Sequence, residues 1–158
     1  MNFSTEEDIW RDGSGNQASL ALIIETLKLN PKSKIHAGCD SHFTSGNNVV
    51  FAVVICMHYS TGGGKYFFKR INEPAKRYTS LGTRLFKEVE FAIQAAQSLK
   101  NNKIVRPILV HADINVNPAE KSSKFAGQIK NYIMAMGFNF TFKPLAWASS
   151  SVADRHAK

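Results

Sequence analysis

The chain has little cysteine: only Cys39 and Cys56 in 158 residues. Both lie inside apolar, strand-like runs, so buried thiols in a reducing cytoplasm are expected rather than a disulfide framework. No apolar run approaches the roughly 20 residues of a membrane-spanning helix. The longest, Val49 to Met57, is of strand length. The opening Met-Asn-Phe-Ser-Thr-Glu-Glu-Asp is acidic and polar, which does not fit a secretory leader. Low-complexity stretches and internal repeats are lacking too. Gly62-Gly63-Gly64 follows a strand pattern without the Lys-Ser/Thr of a phosphate loop, and reads as a hairpin connection. His36, His42, His111 and Cys39 match no zinc-ligand spacing. Acid is scarce as well, with Asp+Glu 12 against Lys+Arg 20 and a formal net charge of +8.

That basic excess favours a polyanionic partner through phosphate contacts, so nucleic acid (RNA, DNA or hybrid) is the expected partner and a membrane is not. Apolar residues make up 44% of the chain, enough for one globular core. Ser19 to Leu29 predicts a first helix with Leu20, Ile23, Ile24 and Leu27 as its apolar stripe, stopped by Asn30-Pro31. Residues 1–31 are expected to form an appendage packed on a main domain of residues 32–158. In that domain, strands are expected over Lys34 to Asp40, Val49 to Tyr59 and Lys65 to Ile71. A long amphipathic helix over Ser80 to Lys100 comes next, then a strand from Ile104 to Asp113. A helix over Pro118 to Met136 is closed by Gly137. A fifth strand over Phe138 to Trp147 and a short last helix from Ser149 complete an α/β order.

Against this order, the few acids fall at particular places. Two apolar runs end on aspartate, at Asp40 and Asp113. If their strands are parallel neighbours, both carboxylates emerge at the same sheet end, about 4.8 Å apart, where open α/β sheets place their sites. Each alone also fits a turn at a strand exit. On the long helix Glu88 and Glu90 compete. Glu88 borders the apolar stripe and Glu90 turns further toward solvent, so Glu88 is preferred, though it also fits an i,i+4 partner of Arg84. Asp154 closes Ser151-Val152-Ala153-Asp154, which has the form of a capping box. Carboxylates at strand ends suit hard divalent cations.

The segments Ala37-Gly38-Cys39-Asp40-Ser41-His42, Val110-His111-Ala112-Asp113, Lys143-Pro144 through Ala148, and Ser151-Val152-Ala153-Asp154 give the chain a resemblance. It resembles the ribonuclease H-like superfamily, and within it a small family of bacterial and phage proteins described as ribonuclease H-like. The resemblance implies a five-stranded mixed sheet of order 3-2-1-4-5 with helices on both faces. It also implies Asp40, Glu88, Asp113 and Asp154 as catalytic metal ligands, two Mg²⁺ or Mn²⁺ ions, and hydrolysis of phosphodiester bonds. The link before Asp154 lacks the histidine that well-studied members carry there. His156 is a candidate substitute, and His42 a second auxiliary residue. Lys76, Arg77, Arg84 and Lys87 form the expected nucleic-acid rim, with Tyr66 and Tyr78 nearby. The alternative is a non-catalytic nucleic-acid-binding module of the same fold.

Overall fold

The structure, a computed structural model, describes residues 9–158 apart from Pro144 and the side chains of Ser149 and Ser150. The acidic opening stretch and the proline of Lys143-Pro144 lie outside the described residues. In chain order the strands are β1 (Trp10–Asp12), β2 (Gln17–Ala18), β3 (Lys34–Phe43), β4 (Asn48–His58), β5 (Gly64–Pro74), β6 (Ile108–His111) and β7 (Asn139–Thr141). The helices are α1 (Leu20–Leu29), α2 (Leu81–Asn101), α3 (Ala126–Ala135) and α4 (Asp154–Ala157). A π-helical turn over Ala148–Ala153 leads directly into α4.

One mixed sheet has the order β2-β1-β5-β4-β3-β6-β7. β3, β4 and β5 form the antiparallel meander, and β6 and β7 add on parallel to β3. The inner five strands therefore follow the expected 3-2-1-4-5 order. The correction is at the edge, where β1 and β2 lengthen the sheet to seven strands. Strands of three and two residues are too short to show an alternation, and they are held by pairing Arg11 and Asp12 with Phe68 and Phe67.

Side-chain alternation divides the core into two layers. Ile35, Ala37, Cys39, Phe51, Val53 and Ile55 face α1, α2 and α3. Ala52, Val54, Cys56 and Phe68 face the C-terminal helix through Ala148, Ala153 and Ala157. β4 is buried from Val49 to Met57 because both of its faces are covered, which explains its unbroken apolar run. α1 begins at its N-cap Ser19 and buries Ile23, Ile24 and Leu27 in the larger layer. α2 begins at Ser80, whose Oγ accepts from the Thr83 N–H; such a cap is worth about 1 kcal/mol. α3 stops at Gly137, whose φ of 87° is left-handed, and the Phe138 N–H reaches back to the Ile133 carbonyl.

Two further expectations are corrected. β7 ends at Thr141, and the backbone is already helical at Trp147, so the fifth strand is short. Ser151 is not a helix cap. It lies within the continuous helical stretch that Asp154 continues, and Asp154 itself has αR backbone angles. The wide i→i+5 turn carries Ala148 and Ala153 onto one face, with Ala157 one α-turn later. Three methyl side chains let this helix lie close to the sheet.

Candidate metal centre

The β3–β6 register sets the first two acids. Ala37 pairs with Val110 in parallel, and three residues further along each chain stand Asp40 and Asp113. Asp40 is 8% exposed and lies close enough to feel the Asp113 charge. Burial, then Asp113, then a hydrogen bond with Asp154 push its carboxyl up to about 7. Asp113 is met from outside by Lys143, whose Nζ lies 2.8 Å from Oδ1. Oδ1 is buried, with the Lys143 ammonium as its neighbour. Asp113 in turn raises the Lys143 pKa.

Ser41 points to the opposite face from Asp40 and meets α2. Its hydroxyl donates to Glu88 Oε1 at 2.5 Å, while Arg84 Nη1 donates to the Ser41 carbonyl at 3.1 Å and to Oγ at 3.2 Å. Arg84 and Glu88 are thus joined through Ser41. Glu88 is 4% exposed, and burial followed by the Asp40 charge raises its pKa well above the usual range. Glu90 instead pairs with Lys87 at 3.3 Å on the outer side of α2.

Asp154 reaches the same end of β3 from the C-terminal helix. The start of that helix is pinned where the Ala148 N–H donates to His111 Nδ1 at 3.0 Å. His111 Nε2 lies 2.9 Å from His36 Nδ1, and both rings pack on Trp147. Burial holds both imidazoles neutral, lowering His36 to about 4 and His111 to about 3. At the other end, Asp154 Oδ1 is 2.7 Å from His42 Nε2 and Oδ2 is 3.0 Å from Lys158 Nζ. Burial works to raise the Asp154 pKa, but bonds from His42 and Lys158 outweigh it and hold the carboxyl at about 2. His42 Nε2 also lies 3.7 Å from Asp40 Oδ2. One ligand atom each from Asp40, His42 and Asp154 can be chosen so that all lie within 4.8 Å of one another.

A family model described as ribonuclease H-like matches residues 20–158. The chain belongs to the ribonuclease H-like family. No curated protein and no solved structure matches it. Among the described residues, no helix is long and apolar enough to cross a membrane.

In this ribonuclease H-like chain the four expected basic contacts are differently placed. Lys76 and Arg77 are exposed on the single 3₁₀ turn after β5, with Arg77 Nη1 3.9 Å from Glu73. Arg84 turns inward to Ser41, and its guanidinium also lies 5.1 Å from the Phe43 ring. Lys87 is taken up by Glu90 and lies 4.9 Å from the Phe91 ring centre. Tyr78 is buried and its hydroxyl donates to Glu73, so it offers no stacking face. His156 stacks on Phe68 at 3.7 Å and bonds Tyr66 Oη at 3.0 Å. These contacts hold it against β5, not among the carboxylates. Ser41, Lys143 and Lys158 were not singled out in the sequence. The i,i+4 spacing of Asp154 and Lys158 is a readable signal, whereas nothing local marks Lys143 as a partner of Asp113.

Proposed function

We propose that the protein is a divalent-cation-dependent nuclease that hydrolyses phosphodiester bonds of nucleic acid. The observation that supports this reading is that Asp40, His42 and Asp154 bring ligand atoms within 4.8 Å of one another, with Asp113 and Glu88 near enough to interact electrostatically and Asp40 pushed up to about 7 by burial and a neighbouring carboxylate. A fold gains nothing in stability from crowding acids in this way. The donor set fits the cations expected for it. Carboxylate oxygens suit Mg²⁺ or Mn²⁺, and Asp40, His42 and Asp154 can offer ligand atoms within 4.8 Å of one another.

The four acids would hold the cations, with two ions implied by the likeness to the family. Such ions supply positive charge for the attacking and leaving oxygens of a phosphodiester. The protein's own groups prepare the site. Ser41 and Arg84 fix the Glu88 carboxylate, and the alanine-faced helix presents Asp154. Near neutral pH Asp40 still holds part of its proton, which a bound cation would displace, and Lys143 and Lys158 offset charge at the outer acids. Exposed Lys76 and Arg77 would meet backbone phosphates, and exposed Phe43 would offer a ring on which a base can stack. The free, buried thiols of Cys39 and Cys56 support a reducing compartment such as the cytoplasm.

The test is cleavage of labelled single-stranded, duplex and hybrid nucleic acid with Mg²⁺ or Mn²⁺, with and without chelator. Cleavage should require the cation and fall by about a hundredfold or more in Asp40→Asn and Asp113→Asn. Undiminished cleavage by both variants would overturn the assignment. Salt-sensitive binding with no turnover, indifferent to chelator, would favour the non-catalytic module.

A further inference from the structure

We propose that His42 is a direct nitrogen ligand of the cation held by Asp40 and Asp154, and that it makes the centre prefer first-row transition ions such as Mn²⁺ over Mg²⁺. This rests on the cation-dependent reading above and adds the identity of the ion. Residues 40 and 42 are two apart on β3, so period-two alternation puts both side chains on the face that receives Asp154. Nε2 of His42 lies 2.7 Å from Asp154 Oδ1 and 3.7 Å from Asp40 Oδ2. Adjacent ligands of an octahedral ion with bonds near 2.1 Å stand about 3 Å apart. One distance is already that of a ligand shell and the other is within an ångström of it, and one ligand atom from each of the three residues lies within 4.8 Å of the others.

A cation that bridges Asp40 Oδ2 and Asp154 Oδ1 must therefore bind Nε2 or expel the ring. Either outcome ends the hydrogen bond to Asp154, but coordination keeps the ring where it is: the neutral ring binds as its Nδ1–H tautomer, with any proton on Nε2 moved to Nδ1 or released to solvent. The His42 side chain is 37% exposed, so the ring borders solvent and can turn to admit an ion. Mg²⁺ takes oxygen ligands and gives up its water reluctantly, while imidazole is a good ligand for transition ions. One nitrogen among carboxylates tilts selection toward the latter without excluding the former.

The experiment uses the full chain stripped of metal and titrated with Mn²⁺ or Mg²⁺ by calorimetry. Pulsed electron paramagnetic resonance of the Mn²⁺ form reads nitrogen coupling. Wild type should bind Mn²⁺ about tenfold or more tightly than Mg²⁺ and show coupling to an imidazole nitrogen. His42→Gln keeps a side-chain donor for Asp154 but offers no imidazole. It should lose the coupling and about tenfold in Mn²⁺ affinity, with Mg²⁺ affinity changed far less. His42→Asp should bind cations again with the preference moved toward Mg²⁺, a reversal that a merely structural histidine would not produce. Circular dichroism and melting curves establish that each variant is folded. Mn²⁺ bound without nitrogen coupling, or a Mn²⁺/Mg²⁺ ratio unchanged in His42→Gln, overturns the His42 assignment while leaving the nuclease reading intact. No binding of either ion by wild type overturns both.

Discussion

Replacing Asp40 by Asn should make the cation-free protein more stable while removing its capacity to bind cations. Asp40 is 8% exposed, and burial first, then Asp113 and Asp154, push its carboxyl up to about 7. Its neighbour Asp154 sits at about 2, where burial is outweighed by bonds from His42 and Lys158. The two carboxyls are in contact, so their joint departure from the ordinary 3.8 is what matters. The rise at Asp40 exceeds the fall at Asp154, and a pH unit is worth about 1.4 kcal/mol. The ionised pair therefore costs the fold roughly 2 kcal/mol. A raised folded pKa means that between about 3.8 and about 7 the folded state keeps a proton the unfolded chain has lost. The Asp40 contribution to stability accordingly falls as pH rises through that window and stays low above it, against the opposite contribution of the buried neutral His36 and His111.

An Asn at position 40 has no charge to bury. In chelator, Asp40→Asn should match wild type at about pH 4 and exceed it by roughly 1–2 kcal/mol at about pH 8, or about 2–8 °C in Tm. Urea unfolding across that range measures the difference directly. Adding Mg²⁺ or Mn²⁺ should then stabilise wild type, by about 2.7 kcal/mol at a hundredfold excess over Kd, and leave the variant unmoved. A stability difference between variant and wild type that does not grow from about pH 5 to 8, or a variant no more stable at about pH 8, would refute the reasoning.

Three other outcomes are expected. Lys143→Met removes the ammonium 2.8 Å from Asp113, so calorimetry should find divalent cations bound roughly twofold to fivefold more tightly, in keeping with a half-exposed ion pair. Phe43 is 53% exposed, and Phe43→Ala should weaken single-stranded nucleic-acid binding about tenfold by fluorescence anisotropy, with melting temperature nearly unchanged. Ala153 is fully buried against the sheet, so Ala153→Leu should push the helix outward, cost about 1–3 kcal/mol in urea unfolding and weaken cation binding through Asp154.

Much of the fold could be read from the sequence because its signals were long or paired. The apolar run of β4, the amphipathic period of α2 and the two aspartate-ended segments each constrain several residues at once. Together they give a meander followed by α/β units in a mixed sheet, while the β5-β4-β3-β6-β7 order was legible only through the resemblance. β1 and β2 carry no comparable pattern; they exist because β5 offers them an edge. The Ser151 capping signature failed for a different reason. The chain was already helical before it, and a π turn aligned three alanines on the sheet that no regular α-helical wheel would align. At the centre, the helical wheel separates Glu88 from Glu90, and the structure buries the former among charged partners while the latter pairs with Lys87. Tyr78 looked available beside basic residues and His156 because it follows Asp154 by two residues, but Glu73 and Tyr66 take up their polar atoms. Lys143 and Ser41 depend on three-dimensional neighbours alone and left no local mark.

The most direct measurement is anomalous diffraction at the manganese edge from crystals soaked in Mn²⁺. The account predicts density in contact with Asp40 and Asp154, and within the group that Glu88 and Asp113 complete. A fully soaked crystal with no peak at ligand distance from any of these four carboxylates would contradict it.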